Sequence, residues 1–236
     1  MTGSAPPLLQ VEGISAWYVP RRPVLAIDAF TIGERSVLGL LGRNGSGKTT
    51  LINTLVAVHD RCQVNTVTFP GQPGSLSQPR LRQARYAVFT DHEGFAAWSF
   101  DAYLRFVSGV FPQGVDRDVV DALVAGFAFE PFRQRPIGAL STGNAKKAFL
   151  IAGLALRRPL LILDEPIDGL DFDATEYLYE AVNAYREHGA VLMSSHIAES
   201  FTRCCDHLVV LEDGNLSAPL ALNADTDVRS LLRARP

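Results

Sequence analysis

Cysteine is scarce in this 236-residue chain: Cys62, Cys204 and Cys205 are the only three, and none sits in a C-x-x-C pair. A disulfide framework is therefore not expected, and the sparse, odd count fits reduced thiols in the cytosol. The adjacent pair reads as two small packing residues, because neighbouring cysteines bridge only with strain. Positive charge is not in excess either. Lys and Arg number 22 against 25 Asp and Glu, for a net charge of −3, which argues against nucleic acid as a partner. Long apolar runs are missing too. The longest, AFLIAGLAL at 148–156, stops at Arg157 and Arg158. It is about half the ~20 residues a spanning helix needs, so any membrane role is expected to come through a partner. The opening MTGSAPPLLQ has no basic region followed by an apolar stretch, so no signal peptide is expected. Internal repeats and low-complexity tracts are also absent.

What remains is an ordinary globular composition, 47% hydrophobic and 20% charged. The length allows one large domain or two small ones. Residues 8–32 alternate and carry turn signals at Gly13 and between Pro20 and Pro23, which reads as two or three antiparallel strands. Short apolar stretches at 36–41, 160–163 and 191–194 read as buried strands. Helices are expected at about 48–58, across about 95–132 and at about 141–157. One more is expected to start at an Asp173–Glu176 capping box and end near Gly189. Residues 59–94 read as loop-rich, with one strand near 86–89. A last hairpin is expected from His207 through the Asp213–Gly214 turn to Leu216. Strands alternating with helices imply a largely parallel α/β sheet, with the helical stretch at 95–143 inserted in it.

The most informative segment is GLLGRNGSGKTTL at 39–51. Gly42, Arg43, Asn44, Gly45, Ser46, Gly47, Lys48 and Thr49 fit G-x-x-x-x-G-K-[ST], and Thr50 follows. Glycines let successive N–H groups aim at anionic oxygens, and the following helix adds its positive N-terminal end. Lys48 would reach the β- and γ-phosphates and Thr49 would take a place on Mg²⁺. The competing reading, a glycine-rich turn with a solvated lysine, does not account for a strand before and a helix after. A second signal is LLILDEP at 160–166, which puts Asp164 and Glu165 at the carboxyl end of an apolar strand. Ligands of open α/β sheets bind there. Asp164 is a candidate Mg²⁺ ligand and Glu165 a candidate base for an attacking water.

With these pieces in place the sequence resembles an ATP-binding cassette (ABC) ATPase. Leu140, Ser141, Thr142, Gly143 and Asn144 resemble the family's LSGGQ signature, with Thr and Asn replacing a glycine and the glutamine. A serine at a helix start with an uncovered glycine can meet phosphate; the bland alternative is a plain N-cap. The segment 167–171, ending in Asp171, resembles the D-loop. Ser194, Ser195 and His196 resemble the switch-histidine segment. Tyr18 resembles the aromatic that stacks on adenine, with a core aromatic as its competing reading and Trp17 as a rival. One departure stands out. The family's glutamine after the next strand is missing from Phe89, Thr90, Asp91, His92 and Glu93, and Asp91 or Thr90 takes its place. Asp91 would serve there as a hard oxygen ligand for Mg²⁺.

The resemblance implies a P-loop NTPase fold: a RecA-like core with a mostly parallel sheet, an antiparallel β subdomain and an inserted helical subdomain at 95–143. The whole of 1–236 would form one ATPase domain. ATP and Mg²⁺ are the implied cofactors. A head-to-tail homodimer, or a heterodimer with a related cassette, would sandwich each ATP. Lys48, Glu165 and His196 would carry catalysis, while Ser141, Gly143, Asn144 and Asp171 would contact the nucleotide site. Two functions compete. One is the ATPase subunit of a membrane transporter, an exporter by its LSTGN and DGLD segments, acting through a separate transmembrane permease at the cytoplasmic face of the cell membrane. The other is a soluble ATPase of complex assembly. A C-terminal regulatory domain is not expected.

Overall fold

The protein is described here from a computed structural model, which covers residues 7–89, 93–223 and 226–228. The first two strands, β1 (Pro7–Val19) and β2 (Arg22–Gly33), form a long antiparallel hairpin. Strand β4 (Cys62–Thr68) adds to the other edge of β1, and the short β5 (Pro73–Gly74) follows it. The sheet order is β2-β1-β4-β5. The expectation of a loop-rich 59–94 is thus corrected at β4. Along β4 Gln63, Asn65 and Thr66 face outward, so the strand lacks the apolar alternation that announces one. A short helix α2 (Pro79–Gln83) also lies in this stretch.

The second sheet carries the site. Its strands are β3 (Val37–Leu41), β6 (Arg85–Val88), β7 (Leu160–Leu163), β8 (Ala190–Ser195), β9 (His207–Glu212) and β10 (Asn215–Leu216), in the order β10-β9-β3-β8-β7-β6. From β9 to β6 all neighbours are parallel; β10 and β11 (Leu220–Ala221) pair antiparallel with β9. The strands β3, β7 and β8 are buried on both faces, as expected when helices or a second sheet cover each side. Side chains alternate across the sheet. On one face Leu38, Leu40, Leu160, Ile162, Ala190 and Leu192 pack with the β1–β2 hairpin and α1 (Lys48–Leu55). On the other, Leu161, Leu163, Val191 and Met193 pack with helices.

Those helices are α3 (Phe100–Val110), α4 (Arg117–Gly126), α5 (Thr142–Ala155), α6 (Phe172–Tyr185) and α7 (Ala198–Cys204). The expected helical run over 95–132 is two helices joined through a turn at Gly114, whose φ of +62° favours glycine. Ser99 caps α3 by accepting from the Ala102 amide, and Phe100, Tyr103, Leu104 and Val107 make its buried stripe. Asp116 caps α4. Helix α1 ends at Leu55, short of the expected 58. The expected Asp173–Glu176 cap is also corrected: α6 starts two residues earlier, on Asp171, whose carboxylate accepts from the Ala174 amide at 2.8 Å. All three cysteines are free thiols. No helix among the described residues is long and apolar enough to cross a membrane.

Candidate functional site

Because β3, β8 and β7 are adjacent and parallel, the segments leaving their carboxyl ends converge. Residues 42–47 leave β3 and turn into α1 through Gly45 (φ +81°) and Gly47 (φ +104°). A side chain at Gly45 would meet nothing, so that position demands glycine for its backbone alone; one at Gly42 would press within 2.8 Å of the Leu211 carbonyl. Lys48 folds back over the loop it ends. Its Nζ donates to the Gly42 carbonyl at 2.8 Å and sits 3.2 Å from Glu165 Oε1. The Ser46 hydroxyl is buried and has no hydrogen-bond partner among the described residues. An orphaned hydroxyl inside a loop of aimed amides fits a phosphate oxygen as its missing partner. Asn44 lies exposed at the loop tip.

Behind the loop, Asp164 continues β7, and its amide donates to the Val88 carbonyl. Its Oδ2 accepts from Thr49 Oγ1 at 3.0 Å and its Oδ1 from Ser194 Oγ at 2.7 Å. Burial raises the Asp164 carboxyl above its usual range. The Ser194 and Thr49 hydrogen bonds and the Lys48 charge oppose that rise, while the neighbouring Glu165 charge adds to it. A hard-oxygen pair with one buried carboxylate fits Mg²⁺, whose charge would favour the ionised acid. Glu165 stands in the left-handed region, φ +47°, a conformation that for such a residue holds on the order of 1 kcal/mol or more of strain. Its Oε1 faces Lys48. Its Oε2 accepts from the His196 amide at 3.2 Å and lies 3.0 Å from His196 Nδ1. The structure therefore brings Lys48, Thr49, Asp164, Glu165 and His196 into one constellation.

The remaining candidates lie around it. Tyr18 at the end of β1 is half exposed, and its hydroxyl shares a 3.0 Å hydrogen bond with Thr50 Oγ1; its ring meets His59 edge-on. It is thus not a core aromatic. Ser141 caps α5, accepting from the Asn144 amide at 3.3 Å. Gly143 packs against the next motif so closely that a Cβ there would fall 2.2 Å from the Gly169 carbonyl. Asp171 pairs with Lys147 at 2.9 Å, which holds its carboxyl below the usual range. Asp91 and Thr90 lie outside the described residues. One residue, Lys146, escaped the sequence reading. Ser194, named there only within the switch-histidine segment, ties Asp164 to the Glu165 amide. Lys146 is 2% exposed, and its Nζ donates to the Glu165 carbonyl at 2.8 Å.

Residues 25–168 match the family described as ABC transporter. The chain is 32% identical over 228 residues to the putative ABC transporter ATP-binding protein AlbC of Bacillus subtilis (strain 168), covering 94% of this chain and 95% of that protein. It is 26% identical over 214 residues to the manganese transport system ATP-binding protein MntA of Synechocystis sp., covering 86% and 80%. Among solved structures, an ATP-binding subunit of an ABC transporter superposes with a TM-score of 0.80 at 25% identity, covering 97% of this chain and 94% of that one. A bacterial Atm1-family ABC exporter with ATP bound shares the fold, with a TM-score of 0.77 at 20% identity over 99% of this chain and 42% of that one. This α/β chain, with its phosphate loop at the end of a parallel strand, is a P-loop NTPase and belongs to the ABC transporter family. It is an ATP-binding ATPase domain of that family.

Proposed function

We propose that this chain is the ATPase subunit of a membrane exporter and couples ATP-driven closure of a cassette dimer to movement of a separate transmembrane permease. The observation that carries the reading is the convergence of Lys48, Thr49, Asp164, Glu165 and His196 at the ends of three parallel strands. The signature resemblance at 140–144 and the D-loop resemblance at 167–171 support the exporter subclass. Relatives named for manganese and chelated-iron transport leave direction to experiment. The helical segment 95–143 is the surface assigned to the permease. The subunit would sit peripherally at the cytoplasmic face of the membrane, without nucleic acid.

Lys48 is held by Glu165 and a loop carbonyl. Phosphate oxygens carry more charge than a carbonyl, so Lys48 would turn to them and release Glu165 Oε1. Gly42, Asn44, Gly45, Ser46 and Gly47 would enclose the phosphates, and Tyr18, next to Thr50, would offer its face to the adenine. The freed Glu165 would orient and deprotonate the attacking water while His196 stabilises charge building on the γ-phosphate. Thr49 and Asp164 would hold Mg²⁺, with Asp91 as a third candidate, and the bound ion would neutralise phosphate charge. Ser141, Gly143, Asn144 and Asp171 would close on the nucleotide of the opposite subunit, so that ATP favours the closed dimer by contacting both chains.

The test is a pull-down of tagged Glu165→Gln protein from detergent-solubilised membranes with ATP and Mg²⁺. A multi-span membrane protein should co-purify. Exclusive recovery of soluble partners would replace the transporter reading with an assembly ATPase.

A further inference from the structure

The strained backbone of Glu165 is gripped at both of its peptide groups. Its amide donates to Ser194 Oγ at 2.9 Å, and Ser194 Oγ is itself tied to Asp164. Its carbonyl accepts from Lys146 Nζ at 2.8 Å and, more weakly, from the Asp168 amide at 3.3 Å. Lys146 is a residue of α5, the helix that Ser141 caps, and lies just over one turn from that cap. A long amine buried to 2% exposure is rare, and such a group needs partners to be tolerated there. The same helix start is joined to the next segment twice more, by Lys147 on Asp171 and by Gly143 against the Gly169 carbonyl. The first turns of α5 and the segment 165–171 are therefore tied together at three points.

We infer that Lys146 is a positioning residue for ATP hydrolysis: it clamps the Glu165 carbonyl, fixes the left-handed backbone there, and so sets where the Glu165 carboxylate meets water. The inference rests on the reading of Glu165 as the base. It gives the signature segment a second task. A phosphate arriving at the start of α5 would act on the base through the first turns of that helix and the Lys146 side chain. The carboxylate itself keeps Lys48 and His196 as its partners, so losing the clamp should misplace the base without removing it.

The test compares Lys146→Met, similar in length but without a donor, with Lys146→Arg, which keeps one. Fluorescent ATP affinity and KM should stay within about twofold for both, while kcat of Lys146→Met falls roughly 10- to 100-fold, the usual effect of small misplacement, and Lys146→Arg recovers part of it. A kcat for Lys146→Met within twofold of the parent would overturn the clamp. The decisive measurement is single-turnover hydrolysis in the Glu165→Gln background. If Lys146 acts through the base, adding Lys146→Met should lower the residual rate no further. An equal additional loss would place its effect elsewhere and overturn the proposal. Full turnover by Glu165→Gln alone would instead sink the base reading, a distinguishable failure. If Lys146→Met does not fold, Lys146→Gln, polar but one bond too short to reach the Glu165 carbonyl, carries the same cycle.

Discussion

Lys48 and Glu165 neutralise one another across 3.2 Å, and both are largely buried, so each offsets the other's charge. Lys48→Ala should abolish ATP binding, measured by equilibrium dialysis; full ATPase activity in that variant would remove the phosphate-loop assignment. It should also leave the Glu165 carboxylate unpaired on one side. Asp164 allows a prediction in the opposite direction for stability. Its carboxyl is raised by burial, so the folded chain holds this proton more tightly than the unfolded chain does. The resulting stability is fully present below the unfolded value of about 3.9 and is lost as pH rises through the folded value. Asp164→Asn cannot ionise. Without nucleotide its melting temperature relative to the parent should therefore climb as pH rises from about 4 to about 7, while turnover is lost. A pH-independent difference in calorimetry would contradict this. At this scale the sequence was informative, because G-x-x-x-x-G-K-T and an apolar strand ending in Asp-Glu are chemical statements in themselves. It was silent on pairing: that Glu165 shares one oxygen with Lys48 and the other with His196 depends on strand order.

Elements were legible where one face is apolar and opaque where it is not. The buried strands at 36–41, 160–163 and 191–194 stand out because both of their faces are covered. Strand β4 does not, since its polar residues point to solvent. The start of α6 was misread because Asp171 and Asp173 are both good caps; the winner also binds Lys147, a tertiary contact that local pattern cannot weigh. That double duty makes Asp171 testable. Asp171→Ala should lower unfolding stability by about 1 kcal/mol, the usual loss of a helix cap, visible as a shifted denaturant midpoint. Gly143→Ala tests the neighbouring contact. Its new methyl group would strike the backbone at Gly169, so the junction must open; overpacking of this kind typically costs about 1–3 kcal/mol. An unchanged midpoint would show that 169–171 yields freely.

For the whole molecule, the central constellation comes from three separate stretches of chain, at 48–49, 164–165 and 196, and only the sheet order brings them together. Residues 25–168 carry the family match, yet His196 lies beyond them and still closes on Glu165. Removing a buried contact in the sheet should therefore harm both binding and folding. Leu163→Ala, at the strand end just before Asp164, should lose about 2–5 kcal/mol of stability and weaken ATP binding together. Loss of stability with unchanged affinity would mean the acids hold their place without the strand's packing.

The alternation along β7 has a further consequence. Leu160 and Ile162 face the hairpin and phosphate-loop side, whereas Leu161 and Leu163 face the helices. Every second residue thus answers to a different constraint. The helical face can be repacked, one position in two, while the wall behind the nucleotide loop keeps its composition.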